Sequence, residues 1–127
     1  MKDILLNALA VGFGGFLGVL GRYGMSGLVL RFLPAGSFPW GTLAANLLGC
    51  LAIGVVMGLA EERDLLGVET RAFAVVGVIG GFTTFSTFGF ETVAMMRQGA
   101  WLPALAYVGL HLVPGFLLVR VGQSIAA

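Results

Sequence analysis

Four long apolar runs, separated by short polar gaps, constrain this chain more than any other feature. They extend from about Ile4 to Phe32, Trp40 to Ala60, Arg71 to Arg97 and Trp101 to Ser124. Each is as long as a membrane-spanning helix, which needs about 20 predominantly apolar residues. The 127 residues are 58% hydrophobic and only 10% charged, too little charge to cover a soluble domain of this size. The reading is therefore an all-α, multi-pass membrane protein of four spans, forming a single domain over residues 1–127. Leu33 to Pro39, with two prolines and Gly36, is a turn-rich connector. Glu61, Glu62, Arg63 and Asp64 form the most charged stretch and belong in water.

Several function classes fall away at once. A net charge of +1 offers no basic patch for nucleic acid. Cys50 is the only cysteine and lies inside an apolar run, so neither a disulfide framework nor a cysteine metal cluster is available. No nucleophile–base pair points to an enzyme. The N-terminus superficially resembles a signal peptide, but Ala8-Leu9-Ala10 comes too early for cleavage and the apolar run continues to Leu20. It reads as a retained helix.

Positive residues set the orientation of membrane helices. The N-terminal side would collect Lys2, Arg63, Arg71 and Arg120, and the opposite side Arg22, Arg31 and Arg97. So small a bias permits insertion both ways, and hence pairing with an inverted copy; the alternative is one strong loop that fixes a single orientation. Trp40 and Trp101 begin spans on the same side, as interfacial anchors do. Gly14/Gly18, Gly54/Gly58 and Gly77/Gly81 are spaced by four, and Gly41, Ala45 and Gly49 make a further small-residue stripe. Such stripes let membrane helices approach closely. Their abundance predicts an assembly larger than four helices.

The third run is interrupted. Gly80-Gly81-Phe82-Thr83-Thr84-Phe85-Ser86-Thr87-Phe88 places two glycines and four hydroxyl residues near its middle, which weakens a helix. Irregular backbone at membrane depth is tolerated where protein buries it or a watery cavity meets it. Carbonyls ending a first half-helix suit a cation, and N–H groups opening a second suit an anion. The alternative is a continuous helix whose hydroxyls bond to their own backbone.

Phe85 and Phe88 share one face of a helix resuming there, extended by Glu91 and Thr92. Aromatic edges carry partial positive charge and can meet a small anion without trapping it. Thr42, Asn46 and Cys50 share a face of the second span, and the Asn46 amide supplies two N–H donors. Tyr107, His111 and Gly115 repeat that spacing in the fourth. Taken singly, an asparagine is as well explained by a helix–helix hydrogen bond, and a phenylalanine pair by packing or lipid contact. Together the faces supply donors and aromatic edges with no Lys or Arg at membrane depth, a pattern for an anion that must shed water and still leave.

The segment Gly80 to Phe88 followed by Glu91 resembles the signature of the CrcB/Fluc fluoride channels. Gly41-Thr42-Leu43 with Asn46 and Gly49, and Gly21-Arg22-Tyr23, resemble that family's other characteristic blocks. The resemblance implies an antiparallel, dual-topology homodimer in the plasma or inner membrane, with two pores through which cytoplasmic fluoride leaves passively. It implies that Phe85 and Phe88 contact fluoride beside the Asn46 amide, that Ser86 and Thr87 add hydroxyls, and that Thr42 and Tyr107 continue a polar track. It further implies that carbonyls of Gly80 and Thr83 hold a structural sodium ion at the two-fold centre, and that Arg22 lines an aqueous vestibule. Arg22 is equally readable as a side chain snorkelling from a helix end. His111 and Pro114-Gly115 depart from the pattern, since many relatives carry a small hydroxyl residue there; water or carbonyls freed by Pro114 would then continue the track.

Two rivals stand beside this reading. A small proton-coupled exporter of the multidrug type needs a titratable carboxylate deep in a span, and only Glu91 qualifies. A non-transporting scaffold subunit would tolerate replacement of Asn46, Phe85 and Phe88 wherever packing survived.

Overall fold

The computed structural model describes residues 2–33, 36, 38–61 and 65–126. Pro34 of the connector and Glu62, Arg63 and Asp64 of the charged stretch lie outside these residues, as does the side chain of Lys2. The first span is the helix Lys2–Phe32, the second Trp40–Glu61 and the fourth Trp101–Ala126. The third occupies Val68–Arg97 and is bent. All four are long and apolar enough to cross a membrane, and the expected bounds agree to within a few residues.

Backbone chemistry explains why even the glycine-rich first span is helical. In lipid no water satisfies an open N–H or carbonyl, so a spanning segment must satisfy its own. That demand overrides the weak intrinsic preference of glycine for helix. Pro114 is likewise accommodated inside a continuous fourth helix, although its missing N–H leaves the Leu110 carbonyl without its helical donor. Between the third and fourth spans, Gly99 takes φ 76°. The Gly99 N–H bonds the Met96 carbonyl at 3.0 Å and the Ala100 N–H the Met95 carbonyl at 2.9 Å. This pair of bonds is the Schellman arrangement, which closes a helix through a left-handed glycine.

The third span is broken, as the glycine and hydroxyl content predicts. Its leading half begins as Val68–Arg71, loosens into a π-helical stretch over Ala72–Ile79 and ends with Gly80–Phe82. The π-helical stretch has no counterpart in the sequence reading. The last helical bond runs from the Thr83 N–H to the Ile79 carbonyl at 2.9 Å. Thr83 and Thr84 are then extended, at φ −89°, ψ 161° and φ −154°, ψ 114°. The trailing half, Phe85–Arg97, starts with Thr84 as its cap, the Thr87 N–H donating to Thr84 Oγ1 at 3.2 Å. A threonine cap satisfies one of the donors that every helix start leaves open.

The second and fourth spans pack along each other, and the first crosses the leading half of the third. Glycines set both crossings. A methyl added at Gly54 would meet the Val119 carbonyl, and one at Gly122 the Leu51 carbonyl. On the other side, a methyl at Gly18 would run into the Val78 carbonyl and one at Gly81 into the Gly15 carbonyl. The stripes are thus spent within the chain, and they carry no argument for a larger assembly. A small core of Leu43, Met95, Ala104 and Tyr107, flanked by Phe38, Leu47 and Phe88, joins the second span, the trailing half and the fourth span.

Candidate functional site

The break draws together polar side chains from three spans. Its backbone is held by Asn46. The Thr84 N–H donates to Asn46 Oδ1 at 2.8 Å, and Asn46 Nδ2 donates to the Thr84 carbonyl at 3.1 Å. Thr84 is extended, so the amide pairs with it much as a neighbouring strand would. Asn46 Nδ2 also lies 3.1 Å from His111 Nε2, and His111 Nδ1 lies 2.9 Å from the Tyr107 carbonyl. Both amide hydrogens of Asn46 therefore have partners inside the chain.

Phe85 and Phe88 come together as expected, with ring centroids 5.6 Å apart and planes tilted by 50°. Their environments differ sharply. Phe85 is 83% exposed on the outside of a single copy, whereas Phe88 stacks 4.3 Å from the His111 ring and 5.4 Å from Tyr107. Both phenylalanines line a cavity of about 420 Å³ with Asn46, Cys50, Thr84 and His111, and among the described residues no Lys or Arg lines it. Gly115, on the fourth span, is buried against Cys50.

Further along the trailing half stands Glu91. Thr42 Oγ1 donates to its Oε1 at 3.0 Å, and the fully buried Tyr107 donates its hydroxyl to Oε2 at 2.7 Å. Glu91 also lines a second cavity of about 260 Å³ with Thr42, Ser26 and Trp40. Tyr107 thus stands between Phe88 and His111 on one side and the Glu91 carboxylate on the other. Among the described residues no buried side-chain nitrogen or oxygen lacks a partner.

The remaining residues singled out in the sequence surround the break. Thr87 Oγ1 accepts from Thr84 Oγ1 at 2.9 Å, while the Ser86 hydroxyl lies 3.4 Å from Thr84 Oγ1 on the exposed side. Arg22 is half-buried, its Nε directed at the Gly81 carbonyl over a long 3.4 Å, where a cation complements the carbonyl end of a half-helix. Gly80 and Thr83 have carbonyls without their usual donors. The Thr84 N–H that would bond Gly80 goes to Asn46, and the Thr87 N–H that would bond Thr83 goes to Thr84 Oγ1. Free carbonyls ending a half-helix are the hard oxygen donors that sodium takes. Among the described residues no group of three or more His, Cys, Asp or Glu is placed to hold a metal, so a cation here would rest on backbone oxygens.

Three residues matter more than the sequence reading allowed. Thr84 is both the cap and the partner of Asn46, Glu91 is the acceptor of two hydroxyls, and His111 is the second partner of Asn46. The Thr84-Phe85-Ser86-Thr87 spacing is a cap signal that could have found the first. Glu91, the sole acidic residue well inside a predicted span, could have been found by asking what Thr42 and Tyr107 donate to.

The sequence matches the family described as "CrcB-like protein, Camphor Resistance (CrcB)" over residues 9–123. The chain belongs to the CrcB family. Among its relatives in that family, a protein of Nitratidesulfovibrio vulgaris named "Fluoride-specific ion channel FluC" is 47% identical over 122 residues, spanning 96% of this chain and 94% of the relative. Proteins with the same name are 41% identical in Clostridium perfringens, over 96% of this chain and 94% of the relative, and 38% identical in Methylobacillus flagellatus, over 93% and 92%. Those CrcB relatives bear the name of a channel, which is not an enzyme.

Proposed function

We propose that this chain is a fluoride-selective channel through which cytoplasmic fluoride leaves passively, working as an antiparallel homodimer with two pores and a structural sodium ion at its two-fold centre. The observation that carries the reading is the Phe85–Phe88 pair, facing a cavity with Asn46 and, among the described residues, without Lys or Arg, in a chain whose relatives are named as fluoride-specific ion channels. Ring edges favour a small anion without the grip of a full positive charge, and conduction requires that an ion be held weakly enough to leave.

In this mechanism fluoride passes along Phe85 and Phe88 beside Asn46, Ser86 and Thr87. Thr42 and Tyr107, pinned by Glu91, continue the track, and Arg22 draws anions towards the break. The carbonyls of Gly80 and Thr83 would hold the sodium ion, which supplies fixed positive charge where half-helices of two copies meet. Support for a second copy comes from the outer face. Phe85 is exposed beside the Ser86 and Thr84 hydroxyls, and hydroxyls at membrane depth are costly against lipid.

The proton-coupled exporter is not favoured, because the relatives are named as channels and both Glu91 oxygens are already occupied by hydroxyl donors. The test is efflux from liposomes containing the purified protein, with chloride as control. Fluoride should leave far faster than from empty vesicles and chloride should not. Equal rates for the two anions, or no fluoride efflux above the empty vesicles, would remove the proposal.

A further inference from the structure

The tautomer of His111 follows from its neighbours. The Tyr107 carbonyl 2.9 Å from Nδ1 can only accept, so Nδ1 carries a hydrogen. The orientation of the Asn46 amide is equally fixed, because its Oδ1 faces the backbone N–H of Thr84 and its Nδ2 faces the Thr84 carbonyl. Asn46 Nδ2 therefore donates to the lone pair on His111 Nε2 at 3.1 Å. With one hydrogen on Thr84 and the other on His111, the amide has none left for an anion in the cavity that both residues line.

Building on the fluoride-channel reading, we propose that His111 is a positioning residue for Asn46: its neutral ring withholds the amide donor from fluoride, and a proton on Nε2 releases it. When Nε2 gains a proton from water, two donors face each other and their hydrogen bond is lost. The Asn46 N–H that faced the ring is then left open to the cavity beside Phe88. Histidine is suited to this because small changes in its surroundings move its charge across the physiological range. Among the described residues the titratable groups near the ring are few. Glu91 of the third span is bonded to the hydroxyl of Tyr107, Tyr107 adjoins the ring on its own span, and Cys50 of the second span lines the same cavity. The first span contributes no described residue to that cavity.

The test measures fluoride currents in planar bilayers as a function of fluoride concentration, at about pH 7.5 and about pH 5.5. Neutral hydrogen fluoride carries no current, so its leak through lipid does not enter. The half-saturating fluoride concentration of the wild type should fall roughly tenfold on acidification, the effect of one added hydrogen bond to a charged partner. His111→Gln keeps an acceptor for Asn46 and cannot titrate, so its value should stay at the neutral wild-type level at both pH values. His111→Ser is too short to reach Asn46 and should stay at the low value at both. A wild type with no pH response, or a His111→Gln variant that shares it, overturns the proposal. A wild type without any fluoride current instead overturns the channel reading, and this proposal with it. His111 is the only histidine in the chain, so nitrogen NMR of the labelled wild type reads its ring directly. A neutral ring protonated on Nε2 would also end the proposal, whether or not the variants fold.

Discussion

The side-chain amide of Asn46 forms two hydrogen bonds to the backbone of Thr84, accepting from its N–H at 2.8 Å and donating to its carbonyl at 3.1 Å. A single side chain from the second span thereby supplies the partner that the Thr84 N–H loses where the third span breaks, and adds a donor to the carbonyl with which Thr84 caps the trailing half. Leaving a buried donor unpaired costs about 1–3 kcal/mol, so Asn46 stabilises the interruption by answering the Thr84 N–H.

Asn46→Ala is accordingly expected to destabilise the protein by about 1–3 kcal/mol, with the Thr84 N–H left open. Thermal unfolding of the purified protein measures this. An unchanged midpoint would show that water or a rearranged backbone takes over from the amide.

Phe85→Ile should lower fluoride efflux by about fivefold, corresponding to the roughly 1 kcal/mol that an aromatic contact adds beyond its area. Phe85 is exposed in one copy, and isoleucine keeps most of its apolar bulk, so the oligomer seen by size-exclusion chromatography should persist. Full efflux from this variant removes the aromatic edge from the mechanism.

Tyr107→Phe deletes the hydroxyl that donates to Glu91 Oε2. The carboxylate then retains Thr42 alone, and stability should fall by about 1–3 kcal/mol, together with efflux. Equal loss in Thr42→Val, and no further loss in the double variant, would identify the three residues as one unit. Strict additivity would separate them.

Orientation can be read from labelling. Gln98 is exposed in the turn between the third and fourth spans, so Gln98→Cys in a Cys50→Ala background gives one reporter. A dually inserted protein is labelled by an impermeant reagent to about half from outside and the remainder from inside, as the small charge bias predicts. Complete labelling from one side would establish a single orientation.

The spans and the break were legible in the sequence because both are local. Apolar length is compared with a fixed bilayer thickness, and the weakness of Gly80 to Thr84 as helix is a property of those residues. Partner choice was not legible, because it depends on which spans cross. The spacing of Gly14/Gly18 and Gly77/Gly81 announces close packing without saying whether the partner is the same chain, and it proves to be. Asn46 announced itself as a donor, yet the Thr84 and His111 groups that occupy it lie 38 and 65 residues away. The π-helical run over Ala72–Ile79 carries no signal in residue type at all.

The crossing of the first and third spans also bears on how this chain can change over generations. Alanine at position 18 would collide with the Val78 carbonyl and alanine at 81 with that of Gly15. The first single-methyl step away from glycine is the one that fails, so no gradual route of replacement leaves either position while the crossing is kept. Gly12, Gly24 and Gly27 on the same span meet nothing within 4 Å in one copy. If the chain stands alone in lipid, those three should drift freely among descendants. If an inverted copy covers them, they should be as frozen as Gly18, and inheritance itself would record where the second molecule sits.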